Sequence, residues 1–438
     1  MGYSIVAPLF PPLFKERGIS NITCSYLLTC FCITNILSSL LCSYLSTKFG
    51  QQGFLLFCTL GQAISVMLYG IIIYIPNNEL FLVLGFTIRL CHGFFSGNVN
   101  VLSFAFTALI NFGKDLEKSS GYMELSWVGG LTIGPMVIGV LFDYVGYSIP
   151  FYIIACIALS GACLNYFFIY KANFDKFMQI SSVNIEEQKL LLEKKENENE
   201  NEIDEKYALL KAFAYPPIIF LMFCQIEQVN SISFYLATLV NYLKESFNLR
   251  TSRAALFFIF AAAGNAVSSF FVSKLTNYVK TFQIMYYGLF LSAFFVLFIG
   301  PAGFLPHNYI FILLGMFIEG NIAANIYISV FIELNNAGKR LFPTNKLLRK
   351  NIPSSIYNLC FYVGDLLWPV IGSYFTNKIS FKASVYFSSF LTFCYAIIFG
   401  LYFKNEIKSG EQNKQVEENL EKEKIEKNNL ENEFYEME

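Results

Sequence analysis

The chain has 438 residues, of which 55% are hydrophobic, 18% aromatic and only 14% charged, and its formal net charge is −1. A soluble domain cannot hide so much apolar surface, so we expect a protein that crosses the membrane several times. The near-zero net charge excludes a protein that binds nucleic acid through a general positive field.

The sequence begins with an apolar run over residues 2–14. This run is shorter than the ~20 residues that a membrane helix needs. We therefore expect either that the first helix is completed in an unusual way or that further residues precede it. Eleven longer apolar runs follow. They span roughly residues 23–45, 54–75, 80–110, 121–142, 149–170, 214–242, 254–273, 282–305, 308–333, 353–375 and 382–403.

These runs predict an all-α polytopic membrane protein with twelve transmembrane helices in two six-helix bundles, residues 1–170 and 214–403. The charged segment 171–213 and the Glu/Lys/Asn-rich tail 404–438 are too polar to build a core, and we expect the tail to be disordered. Lys and Arg are more frequent in the loops on the side of these two segments, above all in the basic loop 335–352. This bias predicts that both termini are cytoplasmic.

The fifth apolar run of the chain, counted from the short first one, is 121–142. It contains Gly130, Gly134, Pro135 and Gly139. In water such a run makes a poor helix, because Gly costs about 1 kcal/mol and Pro about 3 kcal/mol relative to Ala. In a bilayer, neighbouring helices make both residues tolerable. We expect a closely packed membrane helix with a kink at Pro135.

An internal repeat supports the division into halves. Residues 35–45 align without gaps on residues 265–275, with identical Asn, Ser and Leu positions. At nearly the same offset, Gly130 and Pro135 fall on Gly364 and Pro369. Repeats of this kind place a binding site between the two halves at the membrane midplane.

The eleventh run, 353–375, holds the counterparts of the glycines and the proline of the fifth run, namely Gly364, Pro369 and Gly372. We expect these residues, like those of the fifth run, to bend their helix and to pack at the interface between the halves.

Several motifs resemble those of the major facilitator superfamily across most of the chain. Arg89 and Gly93, followed by Gly97, match its RxxxG pattern, and the run from Gly134 to Gly139 is similar to the GPxxGG signature of its drug:proton antiporter branch. One glycine of that signature is replaced by Ile138. The family's GxLxDRxGRK loop after the second helix has lost its acidic residue here, where the chain reads SYLSTKFGQQ.

Within the superfamily, GYSIVAPLFP, GYMELSWVGGLTIGP and FYLATLVNYLKESFNL resemble the vesicular amine and polyamine transporters. That branch usually has Asp-Pro in the seventh helix, where this chain has Leu236-Ala237. The resemblance implies a major facilitator fold, an organic cation as substrate, protons as partner and a monomer. It also implies an endomembrane, a vesicle or the plasma membrane as the location.

Ionisable side chains at mid-membrane cost roughly 2.5–3.5 kcal/mol on insertion scales, so each one predicts a function. By position, Arg89, Glu227, Glu319 and Asp365 lie near the midplane, and Glu124 lies closer to the cytoplasmic end. A carboxylate that alternates between a proton and a cationic amine gives proton-coupled exchange. The alternatives are that one acid only braces Arg89 and that water reaches Glu124.

Arg89, His92 and Asn100 share one face of the fourth helix. Gly93 and Gly97 lie beside them, and we expect these glycines to allow close contact with another helix. We expect this face to line the translocation path together with Asn321 of the tenth helix. The alternative is that these polar groups only make interhelical hydrogen bonds, worth about 0.6 kcal/mol each.

The sequence therefore predicts a secondary active transporter that works by alternating access, in the form of a proton-coupled exchanger of an amine or polyamine. The alternatives are a carrier for an organic anion or neutral solute, with Arg89 as the recognition charge, and a non-transporting sensor. No nucleophile–base pair or metal-ligand spacing is visible, so we expect neither an enzyme nor a metal site. No ATP-binding loop is visible, so we expect no cofactor. The cysteines lie in apolar runs, and we expect them to be packing residues, not disulfides.

Overall fold

The computed structural model describes residues 6–167 and 207–408, apart from 112, 237, 250–253, 255, 277, 301–302, 304, 307 and 344. All regular elements within this part of the chain are helices. The predicted central segment 171–213 and tail 404–438 fall mostly outside it, so their boundaries stay predictions.

Six helices form the N-terminal half: α1 (Val6–Glu16), α2 (Asn21–Phe49), α3 (Gln51–Ile72), α4 (Asn78–Ile110), α5 (Gly113–Val145) and α6 (Ser148–Asn165). The first of them has 11 residues, fewer than a bilayer span requires. Arg17, next to its end, donates a hydrogen bond to the carbonyl of Ile75 at 2.8 Å and lies 4.2 Å from the ring centre of Phe81. These contacts fix the short helix to the turn between α3 and α4.

The C-terminal half contains α7 (Ala208–Phe213), α8 (Pro216–Leu236), α9 (Leu239–Phe247), α10 (Phe257–Leu275), α11 (Thr281–Ile299), α12 (Tyr309–Leu341), α13 (Lys346–Lys378), α14 (Phe381–Tyr402) and α15 (Lys404–Lys408). The helices α8 and α9 follow one another so closely that together they make one candidate span of 32 residues.

Nine helices or helix pairs of the described chain are long and apolar enough to cross a membrane. Each of the eleven longer runs predicted from the sequence overlaps a helix or, for 214–242, the pair α8 and α9. The helices α4, α5, α12 and α13 are each 33 residues long. A helix of that length extends about 50 Å, which exceeds the ~30 Å hydrocarbon core. The ends of these four helices must therefore project beyond the lipid tails.

The prediction that residues 335–352 form a loop is wrong. The helix α12 continues to Leu341 and α13 already begins at Lys346, so most of the basic residues lie on projecting helix ends. The physical reason is that a helix outside the bilayer needs no apolar residues, so the hydrophobic run ends before the helix does.

The surface of the helices carries many exposed large apolar side chains, such as Phe390 and Leu401, which are 66% and 71% exposed. Patches of this extent are rare on soluble monomers. They are the surface that lipid covers in a membrane protein.

The two halves meet where α13 packs on α2 and α4, and where α5 packs on α10 and α12. The end of the molecule that holds the α2–α3 and α12–α13 turns is named here the α2–α3 end. Near this end an aromatic cluster seals the boundary: Phe104 of α4 lies 4.9 Å from both Phe331 of α12 and Tyr357 of α13, measured between ring centroids.

Polar side chains continue this closed boundary between α2 and α13. Gln51 Nε2 donates a hydrogen bond to Asn351 Oδ1 at 2.7 Å, and Asn351 Nδ2 donates to Ser46 Oγ at 3.1 Å. Further along, the hydroxyls of Ser43 and Ser355 are 3.4 Å apart. Neutral groups therefore hold the halves together here, in the region where the family's loop motif would supply an acid.

The eleven cysteines are all free thiols. Six of them are buried, whereas Cys91, Cys156 and Cys163 are exposed on the surface of the helices.

Candidate substrate and proton pathway

The arginine of the fourth helix lies deep inside the N-terminal half. Arg89 is fully buried, and its guanidinium carbon lies 4.5 Å above the ring of Phe31 on α2. Tyr69 of α3 is a second neighbour of the guanidinium. A desolvated cation over an aromatic face is stabilised by about 2 kcal/mol, which offsets part of the cost of burying it. Phe31 and Tyr69 both belong to the same half as Arg89.

His92 follows Arg89 by one turn and packs between rings. Its imidazole centre lies 5.2 Å from that of Phe31 and 5.8 Å from that of Tyr69. Neither ring nitrogen has a hydrogen-bond partner among the described residues. This arrangement is aromatic packing within one half.

Asn100 lies on the same predicted face of α4 as Arg89 and His92, and it reaches the other half. Its Nδ2 donates a hydrogen bond to the hydroxyl of Tyr362 on α13 at 3.4 Å. Tyr362 in turn lies 5.9 Å from Phe31 between ring centroids and interacts electrostatically with both Arg89 and Asp365. The buried arginine and the acid of α13 thus face the same tyrosine from opposite halves.

Gly93 and Gly97 pack closely on α2. A Cβ atom at Gly93 would overlap Thr34, and one at Gly97 would overlap Ser38. The absence of a side chain at both positions is therefore what allows α4 to approach α2 so closely. The expectation of close packing at these two glycines agrees with this geometry.

Asp365 lies at the boundary between the halves. Its Oδ1 accepts a hydrogen bond from Ser233 of α8 at 2.8 Å, and its Oδ2 lies 3.9 Å from the thiol sulfur of Cys32 on α2. The residue is half-buried. Its carboxylate is thus held from its own half and approached from the other.

Glu227 and Glu319 point into the C-terminal half. Glu227 Oε1 accepts hydrogen bonds from Thr392 of α14 at 2.6 Å and from Asn230 at 2.9 Å, and Glu319 Oε2 accepts one from Ser292 of α11 at 3.0 Å. Both side chains are at least nine-tenths buried. The hydrogen bonds of these two acids stay within one half.

Glu124 lies at the α5–α10 contact and is 3% exposed. Its Oε2 accepts a hydrogen bond from the hydroxyl of Tyr357 on α13 at 3.4 Å, and Asn265 of α10 also faces its carboxyl. Two helices of the C-terminal half thus meet this acid of the N-terminal half. The burial disagrees with the alternative that water reaches it freely.

Asn321 lies one turn from Asn325 on α12, and the Asn325 amide donates to the Asn321 carbonyl at 3.1 Å. A Cβ at Gly264 of α10 would meet the Asn321 backbone nitrogen at 3.0 Å. Asn321 thus lies at the α10–α12 contact. Its predicted place on the translocation path stays a prediction.

The glycines of α13 do not lie where they were expected. A Cβ at Gly364 would meet Val229 of α8 at 2.8 Å, and one at Gly372 would meet the ring of Phe234 at 3.0 Å. Both glycines therefore allow α13 to pack against α8 of its own half, and the expected packing between the halves is wrong for them. Pro369 lies inside the helix, which continues through it.

In α5 the helix also continues through Gly134 and Pro135. Gly134 is buried and Gly130 is half-buried. The side chains of residues 135–140, among them Pro135 and Gly139, are outside the described part of the chain. The kink at Pro135 stays a prediction.

Sequence reasoning missed Asn358, which binds two residues of α2 across the boundary. Its Nδ2 donates hydrogen bonds to Asn35 Oδ1 at 2.9 Å and to Ser39 Oγ at 2.7 Å. A signal was present, because Asn35 belongs to the repeated segment and Asn358 follows Glu124 at the offset that relates Gly130 to Gly364.

In the described residues, no group of three or more His, Cys, Asp or Glu side chains is arranged to hold a metal ion. The polar groups at the boundary are instead single carboxyls, amides and hydroxyls, which suit a proton or an organic ligand.

Two packed helical halves with buried acids at their boundary define a polytopic membrane transporter. The chain belongs to the Major Facilitator Superfamily, whose family description matches residues 1–347. It is therefore an integral multi-pass membrane protein and a transporter, not an enzyme.

Two curated relatives are similar to this chain. The MFS-type transporter SLC18B1 of Mus musculus is 21% identical over 424 residues, which cover 96% of this chain and 86% of the relative. Multidrug resistance protein 1 of Bacillus subtilis is 28% identical over 165 residues, which cover 38% of this chain and 40% of the relative.

Among solved structures, the proton:xylose symporter XylE bound to 6-bromo-6-deoxy-D-glucose is similar, with a TM-score of 0.70. The match covers 93% of this chain and 92% of that chain at 14% identity. At this identity the likeness concerns the fold alone. It confirms the predicted major facilitator fold.

Proposed function

We propose that this transporter exchanges an organic cation, such as an amine or polyamine, for protons by alternating access. The observation that carries the proposal is the position of Asp365, a carboxylate at the boundary of the halves with contacts to both α8 and α2. An acid at this place can bind a proton or a cationic amine, but not both at once. Competition for one carboxylate is the simplest physical basis for exchange.

The distribution of charge favours a cation over an anion. Arg89 is fully buried with its guanidinium over the ring of Phe31 and beside Tyr69, so it is less accessible from the boundary between the halves than the half-buried Asp365. Asp365 and Glu124 lie at that boundary. An organic anion would meet carboxylates there before it met the arginine, which speaks against the alternative of an anion carrier.

Alternating access requires a boundary that opens and closes. The α2–α3 end is closed by the Phe104 cluster and by hydrogen bonds such as that between Gln51 and Asn351. We propose that these contacts break when the halves rock about the central acids, so that the site becomes accessible from that end. With the predicted orientation, this is the cytoplasmic side of an endomembrane or of the plasma membrane.

The test is uptake by the purified full chain in proteoliposomes under an imposed pH gradient. The labelled solutes are amines, polyamines, sugars and organic acids, and protein-free liposomes serve as the control. We expect the gradient to drive uptake of a cation and of no anion. Uptake of an organic acid or sugar alone would overturn the cation proposal, and the absence of flux for every class would favour a sensor.

A further inference from the structure

The two contacts between the halves are related by the internal repeat. The offset of 230 residues that aligns residues 35–45 with 265–275 places Asn35 and Ser39 on Asn265 and Ser269. The offset of 234 residues that places Gly130 on Gly364 also places Asn358 opposite Glu124 in the alignment. The α2–α13 group Asn35, Ser39 and Asn358 is thus the counterpart of the α5–α10 group Asn265, Ser269 and Glu124.

The first of these groups carries no charge. The amide of Asn358 donates one hydrogen to Asn35 and the other to Ser39. All three residues are buried. No charge has to be removed from water to bring these three side chains together, so this group does not itself respond to pH.

The second group has a carboxyl where the first has an amide. Asn265 faces the carboxyl of Glu124, yet Asn265 Nδ2 and Glu124 Oε1 have no hydrogen-bond partner among the described residues. Asn265 accepts from Ser269 Oγ at 3.4 Å. The amide nitrogens of Asn35 and Asn265 lack a partner among the described residues in both groups, so the difference lies in Glu124 Oε1. That oxygen has no partner at the place where the Asn358 amide uses both of its hydrogens.

The backbone around Glu124 is nevertheless closely packed. A Cβ at Gly121, one turn before Glu124, would overlap the carbonyl oxygen of Ser269. Nearer the α2–α3 end, the hydroxyl of Thr276 donates a hydrogen bond to the carboxylate of Glu117. The contact is therefore closed around a carboxyl that is not fully hydrogen-bonded.

The charge state of Glu124 decides how well this closed contact is tolerated. Tyr357 of α13 and Tyr327 of α12 are the titratable groups that interact with it from the opposite half, and neither carries a positive charge. A neutral carboxylic acid has an O–H donor, a carbonyl acceptor and no charge, so like the uncharged Asn358 amide it can be buried at this place. A carboxylate without a cation is costly to bury, and it draws water in.

We propose that Glu124 is a proton-operated latch between the halves: its neutral form closes the α5–α10 contact, and its ionised form opens it. The neutral group of Asn35, Ser39 and Asn358, with Asn358 at the equivalent position, follows passively. This inference rests on the proposed function in that the proton held by Glu124 belongs to the transport cycle. No covalent step is involved, since the proton is exchanged with the water that enters when the contact opens.

The test is hydrogen–deuterium exchange of the purified full chain in nanodiscs, read by mass spectrometry on peptides from α5 (113–121) and α10 (269–276). After correction for the intrinsic rate, we expect several-fold faster exchange in alkaline than in acidic buffer. Glu124→Gln keeps the neutral shape, so these peptides should stay protected in both buffers. Glu333→Gln is the matched control, because Glu333 is also buried but binds Thr281 within its own half. This control should respond as the wild type does.

The proposal is overturned if Glu124→Gln keeps the wild-type response to pH. It is also overturned if the wild type shows no response, or if Glu333→Gln abolishes it equally. If Glu124→Gln does not fold, Tyr357→Phe takes its place. Removal of that donor makes the buried carboxylate more costly and weakens the closed contact, so the midpoint of opening should move to more acidic pH, and an unchanged midpoint would refute the latch.

The exchange measurement needs no substrate, so its result is separable from that of the transport assay. A latch that responds to pH in a protein without proton-coupled flux would refute the proposed function alone. Proton-coupled flux with a contact that is insensitive to pH would refute the latch alone.

Discussion

Asn358 of α13 is joined to Asn35 of α2 by a hydrogen bond of 2.9 Å that crosses from one half of the transporter to the other. The same amide reaches Ser39 at 2.7 Å, so one side chain ties two turns of the opposite helix. Together with Gln51 and Asn351, these residues join the halves near the α2–α3 end through neutral groups. The contact of α13 with α2 therefore depends on neutral hydrogen bonds here.

Asn358→Ala should loosen this end. The substitution removes two hydrogen bonds and leaves buried partners on α2 unsatisfied, at a cost of about 1–3 kcal/mol to the closed form. We expect faster deuterium exchange in peptides covering the last turns of α2. Asn335→Ala is the control, because the Asn335 amide donates only to a carbonyl of its own helix. Equal acceleration by both variants would contradict the role of Asn358 between the halves.

Gly97→Val should destabilise the N-terminal half. A side chain at this position overlaps Ser38 of α2, and overpacking of a close contact costs typically about 1–3 kcal/mol. Thermal unfolding in detergent should show a clearly lower Tm. Gly161→Val on α6 is the comparison, since a Cβ there meets nothing within 4 Å. An equal fall in Tm for both variants would contradict the importance of close α2–α4 packing at Gly97 for stability.

Phe31→Leu should cost more stability than Phe10→Leu. Both aromatic side chains are buried in the N-terminal half with aromatic neighbours, but Phe31 also lies under the guanidinium of Arg89. The additional loss is the cation–π term, about 2 kcal/mol for a desolvated pair. The readout of the cation–π interaction is therefore a larger fall in Tm for Phe31→Leu than for Phe10→Leu. A smaller loss for Phe31→Leu than for Phe10→Leu would contradict it.

Asp365→Asn should uncouple transport. The amide keeps the size of the side chain and can still accept a hydrogen bond from Ser233, but it takes up no proton and has no charge for a cation. We expect the response of uptake to an imposed pH gradient to be lost, while Glu333→Gln retains it. A fully coupled Asp365→Asn protein would show that another acid carries the proton.

The hydrophobic runs located the membrane helices because a bilayer span must be apolar along its whole length. The same property hid the orientation of individual side chains. A helix of a membrane bundle is apolar towards both lipid and protein, so periodicity did not reveal that Glu227 and Glu319 point into their own half. For the same reason Gly364 was assigned to the wrong neighbour, whereas Gly97 packs closely as expected.

The length of α12 and α13 was underestimated for another reason. Their ends around Leu341 and Lys346 lie beyond the apolar runs, where hydropathy no longer marks a helix. The importance of Asn358 was missed because an isolated Asn is not unusual in a membrane helix. Only its contact with Asn35, which the structure provides, shows that it joins the halves.

The most direct test of the central claim is to let the substrate move protons. Proteoliposomes with a lumenal pH indicator and no initial pH gradient are supplied with an inward gradient of a labelled polyamine, with protein-free and Asp365→Asn vesicles in parallel. The account predicts that polyamine uptake raises the lumenal pH through proton efflux only in vesicles with the wild-type protein. Uptake at an unchanged lumenal pH, or the same rise in the Asp365→Asn vesicles, would contradict it.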